Sequence, residues 1–298
     1  MEYNQLGKSE LFVSEIAFGC MSLKGSEHHD INLLQHAAEM GVNFFDTADI
    51  YDNGRNEEIV GKAFANKRQE VLIATKVGNQ LKSDGSGLSW NPGKSYILQA
   101  VEKSLKRLGT DYIDLYQLHG GTIDDPIDET IEAFEQLKKQ GKIRCYGISS
   151  IRPNVIREYV QRSRIDSVMM QYSILDRRPE EFAFELLKDK GIGVITRGSL
   201  AQGMLAGKEP KEYLGYSKAE TTSSASLVKK ISNPLRNEAQ TALRFVLAHP
   251  PVCSAVAGIR TIQQLEEAVN TSVSPSLTSN ELEQLRMLLA PNTYKEHR

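Results

Sequence analysis

The chain has 298 residues, of which 40% are hydrophobic and 25% are charged, an ordinary composition for a globular enzyme that can bury a core without disulfides or metals. A formal net charge of −2 gives no reason to expect nucleic acid or an anionic membrane as a partner. The first residues lack a signal-peptide pattern, and no apolar run approaches the roughly 18 residues of a membrane span. Three widely spaced cysteines (Cys20, Cys145 and Cys253) indicate a reducing environment. We therefore expect a soluble cytoplasmic protein.

Strand-like and helix-like segments alternate along the chain. A short hairpin is predicted over residues 3–13, and eight apolar runs of strand length follow it. These runs are residues 16–18, 44–45, 71–75, 113–118, 143–148, 168–170, 194–195 and 255–257. Eight strand–helix units predict an α/β fold closed into a (β/α)8 TIM barrel, although an open doubly wound sheet is also compatible with the periodicity.

The segments between these runs have helical periodicity and usually end at glycine. They are residues 30–40, 57–64, 95–108, 127–140, a helix opened by Pro153, 180–190, 238–248 and 262–270. One extra C-terminal helix is predicted over residues 280–289, with Ser279 as its cap. Residues 200–236 are rich in Gly, Ser, Thr and Lys and are predicted to form a long, mobile loop. No change in composition marks a domain boundary, so residues 1–298 are predicted to form a single domain.

Four chemically active side chains fall at or just after the ends of predicted strands. Asp46 and Lys76 each end an apolar run, Tyr51 lies in the loop after the first of these runs, and His119 follows another. In a barrel of parallel strands, these carboxyl ends meet on the face where active sites form. A lone histidine is usually structural, but the shared position of all four residues predicts one site.

These motifs resemble the aldo-keto reductase family. Residues 46–51 (Asp-Thr-Ala-Asp-Ile-Tyr) are similar to its Asp-Thr-Ala-x-x-Tyr motif, and residues 61–63 are similar to the helix that follows it. Residues 75–77 (Thr-Lys-Val) and 118–119 (Leu-His) match its other catalytic positions, and the resemblance covers nearly the whole chain. It implies a single (β/α)8 barrel that reduces a small-molecule carbonyl with NADPH and has no Rossmann fold. The sequence leaves a monomer and a small homo-oligomer equally open.

The resemblance implies that Tyr51 is the general acid and that His119 orients the substrate oxygen. Tyrosine has a reference pKa of about 10, which is high for acid–base catalysis near neutral pH. A neighbouring Lys76 ammonium is expected to lower that pKa, and Asp46 is expected to hold the lysine charged and oriented. No metal site is predicted.

The resemblance also implies a set of residues that contact the cofactor along its length. They are Gly19 and Met21 in the first loop; Ser149, Ser150 and Gln171 at the nicotinamide carboxamide; Arg197 at the ring; Ser199, Leu200 and Gly203 along the pyrophosphate; and Gly258, Arg260, Gln264 and Glu267 at the adenosine. Arg260 at a helix N-terminus suits a phosphate by its guanidinium and by the exposed amides there. The alternative is an ordinary surface arginine.

Three residues depart from the family pattern: Ser150 and Ala268 replace asparagines, and Arg197 replaces an aromatic ring. A guanidinium can stack on a flat ring, but oxidised nicotinamide is itself positive. We therefore expect Arg197 to favour NADPH over NADP+ and to help release the product cofactor.

Two other functions are compatible with the sequence. One is a non-catalytic NADPH-binding redox sensor or accessory subunit, and the other is a barrel lyase or hydrolase, which leaves the stretch around Arg260 unexplained. Residues 85–90 begin like a dinucleotide-binding glycine loop but end in Trp90 and do not directly follow a strand, so they are not interpreted as one. Trp90 either lines the substrate entrance or anchors the surface.

Overall fold

The structure is a computed structural model that describes residues 1–82 and 86–298. Gly85, which begins the rejected glycine stretch, lies outside the described residues. The strands are β1 (Tyr3–Gln5), β2 (Phe12–Ser14), β3 (Ile16–Gly19), β4 (Phe44–Asp46), β5 (Leu72–Val77), β6 (Asn79–Leu81), β7 (Leu88–Trp90), β8 (Ile113–Leu118), β9 (Ile143–Ser149), β10 (Ser167–Gln171), β11 (Gly193–Arg197) and β12 (Val252–Gly258).

The helices surround the strands and follow them in the chain. They are α1 (Glu27–Glu39), α2 (Arg55–Phe64), α3 (Lys94–Leu108), α4 (Ile127–Lys139), α5 (Pro153–Arg162), α6 (Ala183–Lys190), α7 (Lys218–Ile231), α8 (Glu238–Leu247), α9 (Ile262–Val269) and α10 (Ser279–Met287). None of the helices in the described part of the chain is long and apolar enough to cross a membrane.

Eight strands form a closed barrel in the order β3-β4-β5-β8-β9-β10-β11-β12, and each neighbouring pair is parallel. The barrel closes where β12 pairs with β3, with Gly258 opposite Gly19. The predicted (β/α)8 fold is therefore confirmed, and the open sheet is excluded. Buried apolar side chains such as Phe44 and Leu115 fill the barrel interior.

The N-terminal hairpin, β1 and β2, is also confirmed. Its apolar residues Leu6, Leu11 and Val13 belong to the cluster that fills the barrel interior. The hairpin turn contacts the starts of barrel strands, since Gly7 lies against the backbone of Gly193 at the start of β11. The hairpin therefore covers the N-terminal end of the barrel and leaves the C-terminal end for a site.

The extra C-terminal helix, α10, is present, but its cap is Thr278 and the prediction of Ser279 was wrong by one residue. Thr278 Oγ1 accepts a hydrogen bond from Glu281 N at 3.2 Å, and the Glu281 carboxylate accepts one from Thr278 N at 2.7 Å. This reciprocal capping box satisfies two backbone donors that the helix leaves free.

Residues 200–236 are not an irregular loop throughout, so that part of the prediction was wrong. A 3-10 segment spans Ala201–Ala206, and α7 spans 14 residues. Ser217 and Glu220 form a capping box at the start of α7. The buried face of α7 contains Thr221 and Ser224 beside two apolar residues. Because half of this face is polar, the hydrophobicity pattern does not show the helical period. Mobility of residues 200–236 stays a prediction.

A second hairpin, β6 and β7, was not predicted. Its two antiparallel strands have three residues each, and Asn79 pairs with Trp90. Its first strand, Asn79–Leu81, has only one apolar residue, so no apolar run marked it in the sequence. The hairpin follows the Lys76 strand directly, so it rises from the C-terminal end of the barrel.

Candidate active site

The strand register places Asp46 and Lys76 on adjacent strands at the C-terminal end of the barrel. Asp46 is the last residue of β4, and its strand partner in β5 is Ala74, two residues before Lys76. Phe44 and Ala74 belong to the interior cluster. Because side chains alternate along a strand, Asp46 and Lys76 project into the barrel as well.

Asp46 and Lys76 form a buried ion pair. Lys76 Nζ donates a hydrogen bond to Asp46 Oδ2 at 2.8 Å, and the same nitrogen lies 2.7 Å from Oδ1. It also donates to the Thr47 carbonyl oxygen at 2.7 Å. Burial lowers the pKa of Lys76, but Asp46 and Tyr51 more than offset this and raise that pKa above its ordinary value. The raised pKa and the Asp46 carboxylate beside the nitrogen mean that Lys76 is charged.

Tyr51 lies in a strained turn that directs its ring toward the lysine. The turn continues through Asp52, Asn53 and Gly54, whose φ angles of 49°, 53° and 92° all lie in the left-handed region. Lys76 Nζ lies 5.1 Å from the centroid of the Tyr51 ring. Non-glycine residues in left-handed conformations persist only where the surrounding structure holds them. The strain therefore identifies this turn as a constrained part of the site.

Burial raises the pKa of Tyr51 above its ordinary value, while the Lys76 charge and a hydrogen bond with Lys76 oppose that rise. The expected net lowering of the Tyr51 pKa was therefore wrong for the free protein, although the direction of the lysine effect was right. Desolvation disfavours the phenolate by more than one ammonium recovers. At neutral pH, Tyr51 carries its proton.

His119 follows β8 and faces Tyr51. The two rings have centroids 6.0 Å apart and are nearly perpendicular. Burial, followed by the charges of Lys76 and Arg197, lowers the pKa of His119 to about 3. Its Nδ1 atom is buried and has no hydrogen-bond partner among the described residues. His119 is therefore neutral and carries one ring N–H. The four residues predicted as catalytic are brought together, and we call them the tyrosine cluster.

A buried polar scaffold behind the tyrosine cluster was missed by the sequence analysis. Glu57 on α2 accepts hydrogen bonds from Thr75 Oγ1 at 2.6 Å and from Arg107 Nε at 2.7 Å, and it is fully buried. Asn56 accepts a hydrogen bond from Thr47 Oγ1 at 2.6 Å. These contacts hold Thr75, which precedes Lys76, and Thr47, which follows Asp46. The signal available in the sequence was an adjacent amide and carboxylate on the apolar side of a helix.

Asp49, inside the same motif, is a half-buried carboxyl. Its Oδ1 atom has no hydrogen-bond partner among the described residues. Burial, and then the negative charge of Glu57, raises the pKa of Asp49 to about 7, against the opposing charges of Arg107 and Lys76. Asp49 therefore titrates near neutral pH, two residues from Tyr51.

Gln171 and Arg197 are paired strand ends on β10 and β11 and contact each other through their side chains. Arg197 Nη1 donates to Gln171 Oε1 at 3.0 Å, and Gln171 Nε2 donates to Tyr213 Oη at 2.8 Å. Ser149 ends the neighbouring strand β9 and is half-buried. Ser150 Oγ accepts a hydrogen bond from Arg152 N at 3.2 Å, which uses one acceptor position of its hydroxyl within its own loop.

The first and last strand–helix loops meet through Ser22. Ile259 N donates to Ser22 Oγ at 2.9 Å, which fixes the backbone beside Gly258. A Cβ at Gly258 would meet one atom within 4 Å, so this backbone faces open space. Met21 lies next to this junction and is 63% exposed. Gly19 and Gly258 are strand partners, so both predicted cofactor-contact glycines lie at one seam of the barrel.

The remaining predicted cofactor residues lie after β11 and at the start of α9. Ser199 is buried, whereas Leu200 and Gly203 are half-buried, and Gly203 has a φ of +95° beside the Lys208 side chain. Arg260 is exposed, and no carboxylate in residues 1–82 and 86–298 lies within 4 Å of its guanidinium.

The residues predicted to contact the adenosine are ordered by their neighbours. Gln264 Oε1 accepts a hydrogen bond from Arg260 N at 2.9 Å, and Glu267 Oε1 accepts one from Asn237 Nδ2 at 2.7 Å. Ala268 is buried and offers no polar side-chain contact. An unpaired guanidinium beside a helix N-terminus suits a phosphate group.

Comparison with known proteins agrees with this architecture. The family model described as the Aldo/keto reductase family matches residues 15–290. The chain belongs to the aldo/keto reductase family. It is accordingly an oxidoreductase of a family whose proteins bind a nicotinamide cofactor.

Two relatives of this aldo-keto reductase match it over essentially the full chain. "Uncharacterized oxidoreductase YqkF" of Bacillus subtilis (strain 168) is 47% identical over 307 residues, which cover 100% of both proteins. The structure of aldo-keto reductase AKR11C1 from Bacillus halodurans in its holo form has a TM-score of 0.94 and 48% identity, covering 100% of this chain and 99% of that chain.

A more distant relative is the NADH-specific methylglyoxal reductase of Escherichia coli (strain K12). It is 33% identical over 229 residues, which cover 70% of this chain and 70% of the relative. Because this relative is named as NADH-specific, membership of the aldo/keto reductase family does not by itself decide between NADH and NADPH.

Proposed function

We propose that this protein reduces aldehydes or ketones to alcohols with NADPH and that Tyr51 is the general acid. The observation that supports this most directly is the arrangement of the tyrosine cluster. A protonated phenol lies between a charged lysine and a neutral histidine at the C-terminal end of the barrel. Carbonyl reduction requires a proton at oxygen, and this arrangement can provide it.

Residues of this chain carry out the proton transfer. Tyr51 donates its phenolic proton to the carbonyl oxygen, and the Lys76 ammonium stabilises the phenolate that remains. Asp46 keeps Lys76 ionised and fixes its direction through the 2.8 Å hydrogen bond. His119 donates its single ring N–H to the same carbonyl oxygen and thereby orients the substrate. Its lowered pKa keeps it neutral, so it adds no further charge beside Lys76.

A bound nicotinamide supplies the hydride. Ser149 and Gln171 offer a hydroxyl and an amide for its carboxamide, and both lie at strand ends on the same barrel face. Arg260, whose guanidinium has no carboxylate partner in residues 1–82 and 86–298, offers it for a phosphate at the adenosine end. The available groups therefore fit a nicotinamide dinucleotide, and Arg260 favours the form with an additional phosphate.

The first experiment is titration of NADPH and NADH into the pure protein, followed by a small panel of aldehydes and ketones. We expect NADPH binding and turnover, with kcat reduced by about 10²- to 10⁴-fold in Tyr51→Phe, while NADPH affinity stays within about 2-fold. Tyr3→Phe is the matched control because its hydroxyl donates to Gly41 at the outside of the barrel. NADPH binding without turnover on any carbonyl would support the accessory or sensor function instead.

Cofactor choice is tested separately with Arg260→Ala. If Arg260 holds the additional phosphate, NADPH affinity falls by about 10-fold or more while NADH affinity hardly changes. Arg55→Ala, an exposed arginine on α2, is the control variant. An equal loss of affinity for both cofactors would show that Arg260 does not discriminate between NADPH and NADH.

A further inference from the structure

A tight turn in the segment after β11 carries a tyrosine back to the end of the barrel. Tyr213 N donates to Tyr216 O at 3.0 Å, and Tyr216 N donates to Tyr213 O at 2.9 Å. The two residues between them, Leu214 and Gly215, have φ angles of +49° and +91°. This is the backbone of a primed hairpin turn, which normally prefers Asn or Gly where this chain has leucine. Such strain is retained where the geometry of the turn matters.

The turn is fixed from its far side by the C-terminal segment. Tyr216 Oη donates a hydrogen bond to Ala290 O at 2.8 Å and accepts one from Asn292 N at 3.0 Å. The Tyr216 side chain is buried. Tyr216 therefore holds the turn in place, whereas Tyr213 is directed the other way, toward the barrel end.

Tyr213 Oη accepts a hydrogen bond from Gln171 Nε2 at 2.8 Å, across 42 positions in sequence. The direction of this bond is determined by Arg197. A guanidinium has donors and no acceptor, so the Gln171 atom that faces Arg197 Nη1 at 3.0 Å must be the carbonyl oxygen Oε1. The amide nitrogen then faces Tyr213. Arg197 thus specifies the orientation of the Gln171 amide, and Tyr213 holds the nitrogen end of the amide in that orientation.

Within the part of the chain that the structure describes, the fixed amide uses one of its two donors and one of its two acceptor positions. Nε2 has one further N–H after its bond to Tyr213, and Oε1 has one further lone pair after its bond to Arg197. A carboxamide ligand needs one donor for its oxygen and one acceptor for its N–H₂ group. If the Gln171 amide were rotated by 180°, donor and acceptor would exchange places.

We propose that Tyr213 is a positioning residue that presets the Gln171 amide to receive the carboxamide of the nicotinamide. This rests on the proposed function, since it requires a nicotinamide cofactor. Tyr213 acts through Gln171 and does not take part in the proton transfer by Tyr51. Loss of its hydroxyl leaves the amide held by Arg197 alone, so the amide is less ordered and binding then includes the cost of ordering it.

The test measures NADPH affinity by fluorescence titration in wild type, Tyr213→Phe, Gln171→Ala and the double variant. We expect Tyr213→Phe to weaken NADPH binding by about 3- to 10-fold, the range of one ordinary hydrogen bond. In the Gln171→Ala background, the same substitution should have no further effect, because residues that act through one contact are not additive. An equal loss in both backgrounds would overturn the proposal.

A second readout separates positioning from general structural support. A cofactor analogue with an acetyl group in place of the carboxamide retains the oxygen but lacks the N–H₂ group. Wild type should prefer the natural cofactor over this analogue, and Tyr213→Phe should reduce that preference as Gln171→Ala does. Tyr3→Phe is the matched control, since it removes a tyrosine hydroxyl that donates to Gly41 O on the outside of the barrel and should leave the preference unchanged.

The two proposals fail in different ways. A wild-type protein that binds neither NADPH nor NADH would overturn both. A wild type that binds and turns over NADPH, with Tyr213→Phe unchanged in affinity and in analogue preference, would overturn the role of Tyr213 alone.

Discussion

The ammonium nitrogen of Lys76 lies 2.7 Å from Oδ1 of Asp46 at the end of the barrel, and the two residues are only 1% and 5% exposed. This ion pair links two adjacent strands, β4 and β5. The Lys76 ammonium also lies 5.1 Å from the centroid of the Tyr51 ring. Stability and proton chemistry therefore depend on the same contact.

Asp46→Asn should destabilise the protein by about 3–5 kcal/mol, because it leaves a buried ammonium without its counter-ion. Urea unfolding at pH 7 measures this change. In a Lys76→Met background, the same substitution should cost much less, since no charge is left unpaired. A cost that does not depend on the Lys76 background would show that the pair contributes nothing beyond packing.

The neutral state of His119 predicts an acid-sensitive stability. Its pKa of about 3 in the folded protein lies below the ordinary value of 6.5, so the unfolded chain binds the proton more readily. The contribution of His119 to stability is complete above about pH 6.5 and is lost as the pH falls toward 3, by at most about 1.4 kcal/mol per pH unit. Unfolding of His119→Asn across pH 4–7 should show a shallower loss than wild type. His28→Asn, on the exposed face of α1, is the control and should follow wild type.

The raised pKa of Asp49 predicts a pH dependence of stability that is opposite in sign to that of His119. Its pKa of about 7 lies above the ordinary value of 3.8, so the folded protein holds the proton more tightly. The stabilisation from this proton is present at low pH and disappears as the pH rises through about 7. Asp49→Asn should therefore be more stable than wild type at pH 8, by about 1–2 kcal/mol after allowance for its partial exposure. Asp52→Asn, an exposed neighbour, should show no such gain.

Arg197 predicts a difference between the two redox forms of the cofactor. Its charge is close enough to lower the pKa of His119, and it should oppose the positive ring of NADP+ more than the neutral ring of NADPH. Arg197→Tyr should shift the ratio of the two dissociation constants toward NADP+ by about 3- to 10-fold. Titration of both forms into wild type and variant measures this ratio, and an unchanged ratio would contradict the hypothesis.

The left-handed backbone of Leu214 predicts that replacing this leucine by glycine raises the stability of the folded protein. Its φ of +49° is unfavourable for leucine by about 1 kcal/mol, and its side chain is 39% exposed, so glycine loses little packing there. Leu214→Gly should be equal to wild type or more stable by about 0.5–1 kcal/mol in thermal unfolding. A large loss of stability would mean that the leucine side chain supports the turn through its contacts.

The predicted fold was accurate where the signal was local. The periods of about 3.6 and 2 residues depend on neighbouring positions, so strands and helices could be read from short windows. The prediction failed for α7, where Thr221 and Ser224 fill a buried face that the pattern required to be apolar. It also failed for the β6–β7 hairpin, whose first strand has only one apolar residue.

The sequence by itself determined the eight-unit alternation and the order of Asp46, Tyr51, Lys76 and His119, because each motif lies within a few residues of its strand. Only the tertiary structure decided the net rise of the Tyr51 pKa, since burial is summed over atoms from the whole barrel end. It also decided the contact between Gln171 and Tyr213, which lie 42 positions apart. Local patterns are set by backbone geometry, whereas burial, charge and side-chain orientation depend on which distant segments pack together.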